Sequence, residues 1–130
     1  MKTLITARFD KSYTDLLETI TTDYELAGYG VTGEKMSVSK MQEKIKGVEL
    51  LISEFEDINQ EVIDAADKLK IIACCRNEAF ASVDIEAATA KRIPVLRAGG
   101  RNAIAMAEHT IALLMCVSKN ISLTDHLLKY

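Results

Sequence analysis

The stretch Arg92-Ile-Pro-Val-Leu-Arg-Ala-Gly-Gly-Arg-Asn102-Ala-Ile-Ala-Met106-Ala-Glu-His-Thr-Ile-Ala-Leu-Leu-Met-Cys-Val-Ser118 decides how the rest of the chain is read. Ile93 to Leu96 is apolar and reads as a short strand. Arg97 to Arg101, with the Gly99-Gly100 pair, reads as a turn, and the remainder as one long helix. Ala, Leu and Met are strong helix formers, and Asn102 follows two flexible glycines in the position of an N-cap. Glu108 and His109 are the only ionisable side chains in the helix body. A helix apolar nearly all round needs cover on more than one side.

Upstream, the same strand-then-helix unit recurs. Asp84 is placed to cap a helix running to Ala90, after the strand Leu69 to Cys75. Before that, Asn59 caps a helix, with Ile58 and Ile63 spaced as a hydrophobic staple, after the strand Val48 to Ile52. Ser39 and Gln42 have capping-box spacing for a helix that ends at Gly47. Tyr24 to Ala27 is a weak strand ended by Gly28 and Gly30. Thr3 to Phe9 is the first strand; Asp10 to Ser12 follow and cap a helix with Tyr13, Leu16, Leu17 and Ile20 on one face. Strict alternation of strands and helices predicts an α/β fold with a parallel sheet and helices on both faces. Five units in this length suggest the flavodoxin-like strand order 2-1-3-4-5, plus a long C-terminal helix. The expected division is residues 1–100 for the sheet domain and 101–130 for the helix and an amphipathic tail, Lys119 to Tyr130.

Composition narrows the function. The 130 residues are 48% hydrophobic with a formal net charge of −3. Scattered basic residues and no Trp give no electrostatic case for nucleic acid or an anionic membrane. No apolar run is long enough to span a bilayer, and Met1-Lys2 leads directly into a strand with no apolar signal region. Three cysteines, two of them adjacent at Cys74-Cys75, do not make a disulfide framework and fit a reducing, cytoplasmic compartment. Both are expected to be buried core thiols. No His/Cys spacing suggests a metal site.

Ligands of open parallel sheets sit beyond the carboxyl ends of the strands. Four loops are expected there: Asp10-Lys11, Ser53-Glu54-Phe55, Arg76-Asn77-Glu78-Ala79 and Arg97 to Asn102. Arg76 and Arg101 could attract an anion, helped by the amides that open the helix after Gly100. An arginine fork suits a carboxylate. His109 and His126 have no evident carboxylate partner and read as structural or exposed rather than as general bases.

The segment Asn77-Glu-Ala-Phe-Ala-Ser-Val-Asp84-Ile-Glu-Ala-Ala-Thr-Ala-Lys-Arg-Ile-Pro94-Val resembles the D-isomer-specific 2-hydroxyacid dehydrogenase family, which includes phosphoglycerate dehydrogenases. So does Gly100-Arg-Asn102-Ala-Ile-Ala-Met-Ala107-Glu108-His-Thr-Ile-Ala-Leu-Leu, which is similar to the family's next motif. The resemblance implies a substrate-binding domain. Amides of the loop matching Asn77 to Ala79, beside Arg76, would hold a substrate carboxylate; Asn102 would lie near substrate; Met106 would touch a nicotinamide cofactor. Asn77-Glu78-Ala79 departs from the family's glycine-rich loop, and Glu78 is expected to face solvent. Ala81-Ser82 stands for a common Asp-Asn pair, and Met106 for Val.

The same resemblance places the glycine-rich cofactor fingerprint and the catalytic Arg, Glu and His downstream of Tyr130. Gly28, Gly30 and Gly33 are too widely spaced to replace that fingerprint. The expectation is therefore no catalytic residue here, no NAD or NADP bound to this chain, an inactive chain and an active NAD(P)-dependent parent acting on a small 2-hydroxy or 2-keto acid. The apolar helix Asn102–Ser118 is expected to make a homodimer. A non-catalytic module, such as a phosphoacceptor receiver domain, is the rival. It lacks the acidic pair, Asp and Lys that such a domain places at its strand ends, since the chain offers only Asp10, Ser53 or Glu54, and Leu96-Arg97.

Overall fold

Five short strands pair in parallel in the order β2-β1-β3-β4-β5. They are β1 (Thr3–Ile5), β2 (Tyr24–Leu26), β3 (Leu50–Ser53), β4 (Ile71–Cys74) and β5 (Val95–Arg97). The computed structural model describes residues 1–129. The chain divides into two compact units, Met1–Gly99 and Gly100–Tyr130.

The order explains which face each helix covers. Parallel crossovers are right-handed. The step from β1 to β2 runs one way along the sheet, and every later step runs the other way. Thus α1 (Thr14–Glu18) covers one face, while α3 (Val38–Lys44), α4 (Gln60–Ala65) and α5 (Ile85–Ala90) share the opposite face. The burial pattern agrees. Met41 and Ile45, Val62 and Ile63, and Ala87 and Ala88 join Leu4, Leu51 and Ile72 in one core cluster. Ile5, Leu50 and Leu17 are buried outside that cluster.

The caps follow the sequence at two helices. Asn59 Oδ1 accepts from the Val62 amide at 3.1 Å and Asp84 Oδ1 from the Ala87 amide at 2.9 Å. Ile58 and Ile63 are both fully buried, as a staple requires. At α3 the expectation is corrected. Ser37, not Ser39, is the N-cap, because its extended backbone turns its hydroxyl to the Lys40 amide at 3.3 Å. The first helix is also shorter and less buried than expected. Asp10 caps a 3-10 turn, Lys11–Tyr13, and only Leu17 of α1 is buried, while Tyr13, Leu16 and Ile20 are exposed. One short helix on a face cannot cover all four apolar positions.

The second unit holds α6 (Ala103–Ser118) and α7 (Ile121–Lys129), broken at Asn120, whose φ is 52°. Asn102 sits at the cap position but makes no side-chain cap bond, since its backbone (φ −114°, ψ 11°) is not extended. No residue of α6 or α7 is buried. No single helix among the described residues is long and apolar enough to cross a membrane; the two together reach that length but bend by 60°. Tyr130, the end of the expected amphipathic tail, lies outside the described residues.

Candidate functional site

The carboxyl ends of β1, β3 and β4 deliver Arg8, Phe55 and Arg76, and the loop after β2 delivers Tyr29. These four side chains form a row. The Arg8 guanidinium lies 5.6 Å from the Tyr29 ring centre. Tyr29 meets Phe55 with centroids 4.5 Å apart and planes tilted by 57°. The Arg76 guanidinium lies 5.2 Å from the Phe55 centre. Each cation is within cation–π range, and the tilted pair is a favourable aromatic geometry. Because β2 and β3 flank β1, the Tyr29–Phe55 contact crosses over the end of β1.

A buried carboxylate builds this arrangement. Glu56 is fully buried and accepts from the Tyr29 and Met36 amides, both at 2.8 Å. It thereby ties both ends of the segment 29–36 to the exit of β3. The short helix α2 (Tyr29–Thr32) begins after Gly28, whose backbone (φ 60°, ψ −141°) is open to glycine alone. A Cβ on Gly28 would sit 2.2 Å from Glu56 Oε1, and one on Gly30 2.1 Å from the Ala7 carbonyl oxygen. Gly30 also donates its amide to the Thr6 carbonyl at 2.8 Å. So Gly28 and Gly30 serve close packing beneath Tyr29.

The expected carboxylate loop 76–79 lies one strand along, in a hydrogen-bonded frame. The Cys75 amide donates to the Ser53 carbonyl at 2.7 Å, and the Ala98 amide to the carbonyls of Cys74 and Arg76 at 3.1 and 3.2 Å. Arg97 closes the frame: its Nη1 donates to the Asn77 carbonyl at 2.8 Å and faces Glu78 Oε1 at 3.6 Å. Glu78 is exposed, as expected, and its charge is balanced by Arg97, which the sequence placed in a strand-end loop without a role. Ala79 opens a 3-10 turn, Ala79–Ala81, and its side chain is buried in the core. Only its backbone is open to a ligand role. A groove of about 550 Å³ runs from Glu78, Phe80 and Arg97 to Ile85 and Pro94.

Thr6 Oγ1, one residue past the end of β1, and Ser53 Oγ, on the last residue of β3, are buried without a hydrogen-bond partner. Next to Ser53, the Cys74 thiol lies 3.6 Å from Ser82 Oγ and is buried, whereas Cys75 is half-buried, which corrects the expectation that both adjacent thiols are sealed. Asp10, past the end of β1, is held below the ordinary carboxylate range by the Ser12 amide and then by its hydroxyl. No group of three or more His, Cys, Asp or Glu among the described residues is placed to hold a metal.

Arg76, Asn77, Glu78 and Ala79 are thus brought together in the first unit. Asn102 and Met106 belong to the second, one helical turn apart, with the Met106 amide donating to the Asn102 carbonyl at 2.9 Å. Met106 is exposed. Arg8, Tyr29 and Glu56 were missed, and Phe55 was placed in a strand-end loop without a role. The signals were present as Gly28-Tyr29-Gly30 and Glu54-Phe55-Glu56, at the end of a weak strand and a strong one, but nothing local says that the two loops meet.

Residues 4–128 match the sequence profile of the D-isomer specific 2-hydroxyacid dehydrogenase, catalytic domain. The D-3-phosphoglycerate dehydrogenase of Mycobacterium leprae is 38% identical over 76 residues, 58% of this chain and 14% of that protein. Among solved structures, the TT0316 protein of Thermus thermophilus superposes with a TM-score of 0.78 at 27% identity, covering 99% of this chain and 40% of that one. The NAD+-bound 3-phosphoglycerate dehydrogenase of Entamoeba histolytica does so with a TM-score of 0.69 at 25% identity, covering 89% and 38%. The chain therefore spans well under half the length of these relatives, and it belongs to the D-isomer specific 2-hydroxyacid dehydrogenase family, as a catalytic domain of that family.

Proposed function

We propose that this chain is the substrate-binding part of a nicotinamide-dependent D-2-hydroxyacid dehydrogenase, working in the cytoplasm. Residues 1–100 hold the acid, and residues 101–130 lead toward the part of the parent that carries the cofactor. The loop 76–79 receives the carboxylate on its amides, with Arg76 supplying positive charge and Asn102 a polar side chain. Met106 lies against NAD or NADP in the parent, which supplies the hydride exchange with the 2-hydroxy or 2-keto acid. The chain alone neither turns over nor holds the cofactor, and the apolar helix α6 pairs two copies.

One observation carries this reading: in a chain that matches the family over residues 4–128, the loop 76–79 stands beyond the end of β4. That is where parallel sheets receive ligands. Amide NMR of the labelled chain, titrated with D-glycerate and D-lactate, tests it. The expected result is saturable shifts centred on residues 77–79 and 102. Shifts confined to other loops, or no shift at high millimolar acid, refute the assignment. In the intact parent, Asn102→Ala is expected to raise KM or lower kcat.

A further inference from the structure

We infer that Arg97 is a positioning residue: its hold on the Asn77 carbonyl aims the Glu78 amide at the carboxylate of the acid, without Arg97 touching the acid itself. This rests on the carboxylate being received by the loop 76–79.

The backbone carries the first step. Two consecutive carbonyls of the loop are held from the end of β5. The Ala98 amide donates to the Arg76 carbonyl at 3.2 Å, and Arg97 Nη1 donates to the Asn77 carbonyl at 2.8 Å. Neither peptide is cis. In a planar trans peptide the carbonyl and the next residue's N–H point in opposite directions. Holding the Asn77 carbonyl toward Arg97 therefore turns the Glu78 N–H away from it. That N–H has no protein acceptor among the described residues. It is a donor fixed in direction before any ligand arrives. Donation into the carbonyl also polarises the peptide and strengthens its N–H.

The side chain of Glu78 needs the same arginine. A carboxylate in the middle of the loop repels an incoming anion if it swings inward. Nη1 faces Glu78 Oε1 at 3.6 Å, on the side opposite the Glu78 amide. Both groups are more than half exposed, so the pair adds little to stability. Its effect is on placement.

The sheet and one glycine keep Arg97 where this requires. Arg97 is the last residue of β5 and pairs with Cys74, the last residue of β4, so its backbone is fixed just where the loop begins. The φ of Gly99 is not positive, and its backbone does not demand glycine. A Cβ there would lie 3.3 Å from Arg97 Nη1 and 3.4 Å from its Cζ. The guanidinium rests against that bare backbone, which restricts its rotamers. Core packing does not call for an arginine at so exposed a position.

The test titrates D-lactate into the 130-residue chain and its variants, followed by amide NMR. Before any acid is added, Arg97→Gln should shift or broaden the amides of residues 78 and 79 and leave those of β1 and β3 unchanged. Its affinity for D-lactate should fall at least about fivefold, because a loop that is no longer preset must be ordered on binding. Arg97→Lys, a single point donor in place of the fork, should recover part of the loss. The loss should persist when Glu78→Gln is already present, since the peptide and not the charge balance is what Arg97 sets. In the wild-type chain the Arg97 Nε–H should not move with acid. Unchanged affinity in Arg97→Gln, with acid shifts at 77–79, overturns the inference and leaves the proposed function standing. A loss that vanishes in the Glu78→Gln background overturns it, and so does a saturable shift of the Arg97 Nε–H, which would mean direct contact with the acid. Absence of shifts at 77–79 in the wild-type chain overturns the reading on which it rests, and the inference falls with it.

Discussion

Replacing Glu56 by alanine removes one buried acceptor that serves two backbone donors. Both bonds are 2.8 Å long and the residue is fully buried. Hydrogen bonds to charged groups contribute about 1.5–3 kcal/mol each. Relief of the carboxylate's desolvation offsets part of that, and water can reach the half-buried Tyr29 and Met36 amides. The net loss is expected to be about 2–4 kcal/mol. Urea unfolding followed by circular dichroism measures it. The geometry makes a sharper claim through Gly28. Gly28→Ala places a Cβ 2.2 Å from Glu56 Oε1 and 2.9 Å from the Met36 methyl, on a backbone with φ 60°. Its cost combines a clash with Glu56 and backbone strain of about 1–3 kcal/mol. Deleting the Glu56 side chain removes the larger clash but not the strain. The double variant should therefore be more stable than the sum of the single losses allows, by about 1 kcal/mol or more. Additive losses, or a Glu56→Ala loss below about 0.5 kcal/mol, would show that Glu56 does not hold the segment 29–36.

Thr6→Val tests the unpartnered hydroxyl at the end of β1. An unsatisfied buried group costs about 1–3 kcal/mol, so Val is expected to raise the unfolding midpoint, and a clear loss of stability would show that the hydroxyl has a partner. Acid should destabilise the chain in a defined window. Asp10, Glu49, Asp64 and Asp67 are held below their ordinary values of 3.8 and 4.5, chiefly by the Ser12 amide, Lys70, Gln60 and the Gly47 amide respectively. A depressed folded pKa gives stability that is present above the unfolded pKa and lost as pH falls through the folded one. The melting temperature should thus hold from neutrality to about pH 5 and fall below about pH 4; a flat profile to about pH 3 would contradict these contacts. Thiol labelling should find Cys74 slow and Cys75 faster, given their burial; rapid labelling of Cys74 would place β4 wrongly. Sedimentation at micromolar concentration should give a dimer. Leaving even three of Ile104, Ile111, Leu113, Leu114 and Val117 in water forfeits roughly 5 kcal/mol. A monomer unaffected by Leu114→Asp would refute self-association.

Strand count, order and the right-hand half of the sheet were legible because Leu50–Ser53, Ile71–Cys74 and their capped helices are locally self-consistent. Asn59 and Asp84 need only their own amides three residues on. The left-hand side was harder to read. A three-residue strand such as Tyr24–Leu26 carries little periodic signal, and of the apolar residues Tyr13, Leu16, Leu17 and Ile20 only Leu17 is buried. The loop 76–79 was visible as charge and as family resemblance. The row from Arg8 to Arg76 was not, because its members are separated by 21, 26 and 21 residues and meet only through sheet order. The contact of Arg97 was missed for a related reason: its acceptor, Asn77, is 20 residues away.

The placing of the first strand in the interior of the sheet has a consequence for synthesis on the ribosome. Thr3 pairs with Tyr24 on one side and with Leu50 on the other. A growing chain therefore cannot complete the neighbourhood of its first strand until β3 has emerged, since closing long loops precedes the contacts that repay them. Nascent chains halted before residue 50 should remain protease-sensitive. Those whose emerged portion extends past residue 93, with Leu4, Leu51, Ile72 and Ile93 all available to one cluster, should resist. Cooperative protection would then arrive late and nearly at once, as a single vectorial step rather than strand by strand.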